Sequence, residues 1–214
     1  MRVVHKKKSK LANAVKEHIK TNIRPYLFTA CILLIGITFG VFFVNNLKTE
    51  QAQEIQTYIN EFITSLKNGS TIDNGKLLQT SIKNNLILVI IMWFAGSTVI
   101  GIPIVLGIVI YRGFCLGYTV SALIAILGLG KGSIFFSSYM LLQNVIIIPC
   151  ILALAVSGIK LYKSIVKDKR KENIKLEIIR HTLFSLIILA LLLASSVIEA
   201  YISSNLFMLC VQYL

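Results

Sequence analysis

Apolar residues in this chain come in long unbroken runs, without the two-residue alternation of half-buried strands. Five runs lack Asp, Glu, Lys and Arg: Pro25–Leu47, Asn84–Tyr111, Gly113–Gly130, Gly132–Ile159 and His181–Ile198. A helix needs roughly 20 apolar residues to cross a bilayer, within a range of about 17–25. The pattern predicts an all-α fold, a polytopic transmembrane helical bundle. Its five spans are Pro25–Val44, Leu86–Tyr111, Phe114–Leu129, Ser138–Ile159 and Thr182–Ile202.

Between the first two spans the pattern changes. Ile55, Tyr58, Ile59, Phe62, Ile63 and Leu66 recur at i, i+3, i+4, i+7, i+8 and i+11, the stripe of an amphipathic helix. Asn68–Gly69 ends it, and a short second helix near Gly75–Ile82 is expected to lead into the second span. The stripe has two readings. It packs on the protein's own outer face or on headgroups, or it is a docking surface for an extracytoplasmic partner. In the amino-terminal segment Leu11, Val15, Ile19 and Ile23 recur every four residues. That fits a basic helix lying on headgroups, or a solvated tail that only sets orientation.

Within the spans a few positions break the oily pattern. Gly36 and Gly40 form one GxxxG pair, and Gly113 and Gly117 another, spacings that let backbones approach closely. The second span carries Pro103 as an expected kink, and Arg112 caps its inner end, followed by a tight hairpin. Gln143 and Asn144 lie side by side in the fourth span with Pro149 five residues on. Lipid penalises that arrangement unless other helices shield it, so the amides are expected to lock the bundle by interhelical hydrogen bonds. Glu199 falls near the outer end of the fifth span and is expected to face water, headgroups or another helix. The apolar tail 203–214 either extends that helix or folds along the outer surface.

Charge then orients the bundle. The net charge is +13, from 22 Lys and Arg against nine acids. Eight of the basic residues lie in Arg2–Arg24 and eight in Lys160–Arg180, both beside spans. The Lys48–Lys83 segment is near neutral, with four Lys and four acids. Basic flanks stay in the cytoplasm. This predicts a basic cytoplasmic segment 1–24, a transmembrane domain 25–214 with an extracytoplasmic loop 45–85, and a basic cytoplasmic loop 160–181. The amino terminus is then inside and the carboxyl terminus outside. The same basic blocks attract anionic membrane lipids. Nucleic acid is not an expected partner, because no recognition module accompanies the charge.

Composition narrows the chemistry. The chain is 56% hydrophobic and only 14% charged. Cys31, Cys115, Cys150 and Cys210 have no ligand spacing, so neither a metal, a cofactor nor a disulfide is expected. His5, His18 and His181 all lie in basic flanks, no catalytic motif is present, and an enzyme is not expected. The glycine-rich GLGKGS lacks P-loop spacing and reads as a turn. A small transporter or channel subunit using the polar fourth span stays open as an alternative. So does assembly into a homo-oligomer.

The plan of the whole chain resembles the stage II sporulation protein M family, integral membrane proteins of endospore-forming Firmicutes. The resemblance rests on the first span and its end, GITFGVFFVNN, on the glycine-rich IGIPIVLGIVIYRGFCLGYTVS, and on LLQNVIIIP in the fourth span. It implies a non-enzymatic membrane scaffold required for forespore engulfment, in the mother-cell membrane at the sporulation septum. Implied partners are a lytic transglycosylase, stage II sporulation protein D, and an amidase/endopeptidase, stage II sporulation protein P. The Lys48–Lys83 loop is the natural docking candidate by side and by size.

Overall fold

In the computed structural model the described residues are 17, 19–98, 100–167 and 171–211, with only the backbone of 167 and 171–173. They form α1 (Ile23–Asn45), α2 (Thr49–Lys67), α3 (Asn74–Gly96), α4 (Ile102–Phe135), α5 (Leu142–Lys167), α6 (Lys171–Val197) and α7 (Ser204–Cys210). Single π-helical turns, Phe136–Leu141 and Ile198–Ser203, join α4 to α5 and α6 to α7. No strand occurs among the described residues. Leu11 and Val15 of the expected basic helix lie outside them.

Four continuous helical stretches are long and apolar enough to cross a membrane: 23–45, 74–96, 102–166 and 174–210. The third doubles back. Gly128 sits at φ 80°, ψ 165°, a conformation open almost only to glycine. Gly132 then packs against the backbone of Leu123 and Ile124. Further along, Arg112 and Thr119 of α4 share a cavity with Ile147 and Ile151 of α5. The bundle therefore has five long apolar legs, α1, α3, α4, α5 and α6.

The legs are cut at different places from those the sequence suggests. The second span was expected to run Leu86–Tyr111, with a hairpin at Arg112. Instead α3 stops at Gly96 and α4 starts at Ile102. Pro103 is no mid-span kink. It stands in the first turn of α4, where a missing N–H costs little. Arg112, Gly113 and Gly117 lie inside α4, not at its end. The separate helix expected at Gly75–Ile82 is the first part of α3, whose start Asp73 caps by accepting from the Gly75 and Lys76 N–H groups at 3.0 and 3.1 Å. Pro149 does not break the fourth span, since α5 runs through it. Its ring and Val145, the residue one turn back, both lie on the exposed side.

The two GxxxG pairs are each other's partners. A Cβ on Gly36 would strike the Ile110 backbone, and one on Gly40 would strike Phe114 and Tyr118. From the other side, Cβ atoms on Gly113 and Gly117 would strike the backbone of Leu33 and Ile37. Helices α1 and α4 thus run parallel in backbone contact. Phe43 closes the seam edge-on against Phe114, with centroids 5.7 Å apart.

Helices α3, α5 and α6 build the rest of the core, where Met92, Leu154, Ala155 and Leu192 are fully buried. The outside is as apolar as the inside. Leu27, Phe39, Phe42 and Phe94 are all more than half exposed. Soluble monomers rarely show such continuous apolar surface, whereas a bilayer requires it.

The bundle has two distinct ends. At one, Gly96 of α3 meets Gly158 of α5 and the His181 ring of α6. Lys160 and Arg180 line a cavity of about 220 Å³ there. At the other, α2 lies against the α4–α5 turn and the carboxyl-terminal residues. Ile63, Leu66, Leu123, Phe135, Phe207 and Val211 form one buried cluster there. The tail 203–211 continues as a helix and folds under α2; residues 212–214 lie outside the described residues.

Candidate functional site

Two places combine unusual chemistry with space. One is a polar cluster between α3, α5 and the turn after α6. The other is a groove beneath α2.

The polar cluster centres on Glu199, which is only 9% exposed. Its Oε2 accepts from the Ser81 hydroxyl of α3 and from Nε2 of Gln143 of α5, the latter at 2.5 Å. The Ser81 and Ser196 hydroxyls lie 2.9 Å apart. Asn85 Nδ2 donates to Ser196 Oγ at 2.8 Å and to the Leu192 carbonyl at 3.3 Å. A buried carboxylate is tolerated when donors converge on it, and this one draws donors from two neighbouring helices. Both π-helical turns flank the contact: Phe136–Leu141 ends just before Gln143, and Ile198–Ser203 contains Glu199. Such bulges often re-aim a side chain at a working position.

The structure separates the two neighbouring amides. Gln143 reaches across to Glu199, whereas Asn144 Nδ2 donates back to the Met140 carbonyl of its own chain segment at 2.9 Å. Glu199 faces other helices, the third of the three surroundings the sequence allowed. Ser81, Asn85 and Ser196 were not singled out by sequence. Each stands beside another polar residue, Ser81 after Thr80, Asn85 after Asn84 and Ser196 after Ser195, and only the packing of α3 on α6 brings them together.

Near this cluster, Arg112 lines a cavity of about 130 Å³ with Gln143 and Asn144. Among the described residues Arg112 has no carboxylate within ion-pair distance, the two ion pairs being Lys76–Asp73 and Arg180–Glu177. At the opposite end Ser157 Oγ and His181 Nδ1 are 2.8 Å apart. That pair is not completed by an acid, because Glu177 in the same cavity accepts from Arg180 at 2.7 Å. Among the described residues no three His, Cys, Asp or Glu side chains gather to hold a metal.

The groove lies between α2 and α4 and has a volume of about 500 Å³. Ile55, Tyr58, Ile59 and Phe62 line one wall, and Tyr118, Ala122 and Leu123 the other. The six residues of the α2 stripe therefore divide. Ile63 and Leu66 are each 6% exposed and belong to the bundle's own cluster. Tyr58 is 74% exposed, and Phe62 stacks on Phe207 with centroids 6.2 Å apart while keeping one edge open. Ile63 and Leu66 thus pack on the protein's own outer face, whereas Ile55, Tyr58, Ile59 and Phe62 line the groove.

The comparisons agree with this architecture. Neither a curated protein nor a solved structure matches the chain. Among protein families, Stage II sporulation protein M matches residues 29–204, from the first turns of α1 to the start of α7. That interval contains the paired glycine motifs, both π-helical turns and every residue of the polar cluster. The chain is thus a multi-pass, sporulation-related membrane protein that belongs to the Stage II sporulation protein M family.

Proposed function

We propose that the protein is a non-enzymatic scaffold for forespore engulfment. It gathers peptidoglycan-degrading proteins at the septal membrane of the mother cell. The partners in this reading are the lytic transglycosylase and the amidase/endopeptidase that the family resemblance implies. The single observation that carries it is the groove of about 500 Å³ under α2, walled mostly by apolar side chains of α2 and α4. Such a groove suits an apolar anchor segment of a wall enzyme. In this proposal the basic flanks are cytoplasmic, which sets the groove on the wall side.

The test is co-purification from sporulating membranes. Replacing Ile55 and Tyr58 by Ser is expected to abolish recovery of the wall hydrolases while membrane levels of the protein stay unchanged. Undiminished recovery with both changes present would reject the groove as the docking surface.

A second reading, a transporter or channel subunit, is favoured by Glu199, Gln143 and the cavity beside Arg112. It predicts the reverse pattern: Gln143→Leu abolishes sporulation while hydrolase recovery is untouched.

A further inference from the structure

The apolar legs end together at one end of the bundle. Gly96, the last residue of α3, packs on Gly158 of α5 and on the His181 ring of α6. The connection 97–101 leads from there into α4. The charge-free runs of α5 and α6 stop at the same level, one after Ile159 and the other before His181. Beside them Trp93 Nε1 donates to the Thr182 hydroxyl at 3.1 Å. Lys160 and Arg180 are the first charges beyond the runs, and both are exposed. Cations one step past the ends of apolar spans mark a headgroup level.

A groove of about 220 Å³ lies between α5 and α6 at this level. Ser157 and Lys160 line it from α5, and Glu177, Arg180, His181 and Phe184 from α6. Glu177 Oε1 accepts one N–H of Arg180 at 2.7 Å, which leaves the guanidinium further donors. Lys160 makes no ion pair among the described residues. Two cations against one carboxylate leave the groove positive. It also leads into the apolar layer. The two helices run antiparallel, with Ser157 Oγ 2.8 Å from His181 Nδ1 at this end and the Ser195 hydroxyl donating to the Gln143 carbonyl at 3.5 Å at the other. Ala153 stands one turn deeper than Ser157, and Phe184 and Ile187 continue the Arg180 face of α6. Ala153 and Phe184 are half-buried and Ile187 is more than half exposed, so this face meets lipid.

We propose that the α5–α6 groove is a seat for one anionic membrane lipid. The lipid phosphate sits between Lys160 and Arg180, and one hydrocarbon chain runs down past Ala153, Phe184 and Ile187. An ammonium and a guanidinium together suit phosphate oxygens. Charge selects the occupant. A zwitterionic lipid brings a cation of its own, and the one carboxylate that could receive it, Glu177, is already held by Arg180. The apolar continuation selects a lipid over a soluble phosphate. This is a single built seat, unlike the diffuse attraction that the whole basic block exerts on a negatively charged surface.

The experiment is native mass spectrometry of the full chain released from phosphatidylethanolamine bilayers that contain a minority of phosphatidylglycerol. The wild-type protein is expected to retain one phosphatidylglycerol in preference to phosphatidylethanolamine. Lys160→Gln is expected to reduce that preference roughly tenfold, the scale of one charge-assisted contact. Glu177→Gln, which frees Arg180 and removes the competing carboxylate, is expected to raise it, a gain that misfolding does not produce. Lys163 and Lys175 belong to the same basic block and are exposed, but neither lines the groove. Lys163→Gln and Lys175→Gln are therefore expected to leave the preference intact. Added inorganic phosphate is expected not to displace the lipid. The proposal is overturned if Lys160→Gln retains phosphatidylglycerol as the wild type does, or if Glu177→Gln lowers the preference. It is equally overturned if Lys163→Gln and Lys175→Gln lower it as much as Lys160→Gln, if the wild type holds phosphatidylethanolamine as well as phosphatidylglycerol, or if inorganic phosphate displaces the lipid.

Discussion

Gln143 and Glu199 are joined side chain to side chain across the bundle at 2.5 Å, each next to a π-helical turn. The contact ties α5 to the end of α6 where both helices depart from regular geometry. Removing either partner takes this contact from the other, and Glu199 is only 9% exposed. Gln143→Leu and Glu199→Ala are each expected to cost about 1–3 kcal/mol. Because they share one hydrogen bond, the double variant should fall short of the sum by roughly 0.5–3 kcal/mol. Thermal unfolding in detergent of the four proteins measures the cycle; full additivity would show that the contact is not made.

The seam between α1 and α4 has no room for a side chain. Gly40→Leu and Gly117→Leu should force the helices apart and lower the melting temperature sharply, because the obstruction in each case is backbone. Gly107 lies in the same helix with nothing near its Cβ position. Gly107→Ala should be neutral or gain up to about 1 kcal/mol from helix propensity. Equal effects at positions 107 and 117 would contradict the packing.

Gly128 is the reversal point of the longest helical stretch. Its φ of 80° with ψ of 165° excludes other residues without strain. Gly128→Ala is expected to cost about 1–3 kcal/mol. Gly130, also open around its Cβ position but with no positive φ, should accept alanine at no cost. Urea titration of the two variants in micelles distinguishes them.

The α2 stripe separates by depth. Ile63→Ser and Leu66→Ser remove buried apolar contact and should lower thermal stability by about 2–4 kcal/mol each. Tyr58→Ser, at a position 74% exposed, should stay within about 0.5 kcal/mol of wild type. Loss of hydrolase recovery with Tyr58→Ser at unchanged stability would tie the groove to partners and not to folding.

Much of this was legible in the residues. Composition and charge-free runs were enough for a helical membrane bundle, because lipid leaves few alternatives for the backbone. The GxxxG spacings marked close contacts, although not that each would find the other. Helix ends were misplaced for a definite reason. Arg112 looked like a boundary because charges usually end spans, yet α4 carries it inside, and the real break at 97–101 holds no charge at all. The polar cluster was half visible. Gln143 and Glu199 stand out in apolar text, whereas Ser81, Asn85 and Ser196 acquire meaning only when three helices meet. The division of the α2 stripe was out of reach of periodicity, which gives a face but not how deep each residue on it sits.

The burial of Phe207 beneath α2 also fixes an order of events during synthesis. Ile63 and Leu66 leave the ribosome well before Phe207 and Val211, which complete their cluster. Until those later residues have reached the membrane, the inner side of α2 lacks its finished seat.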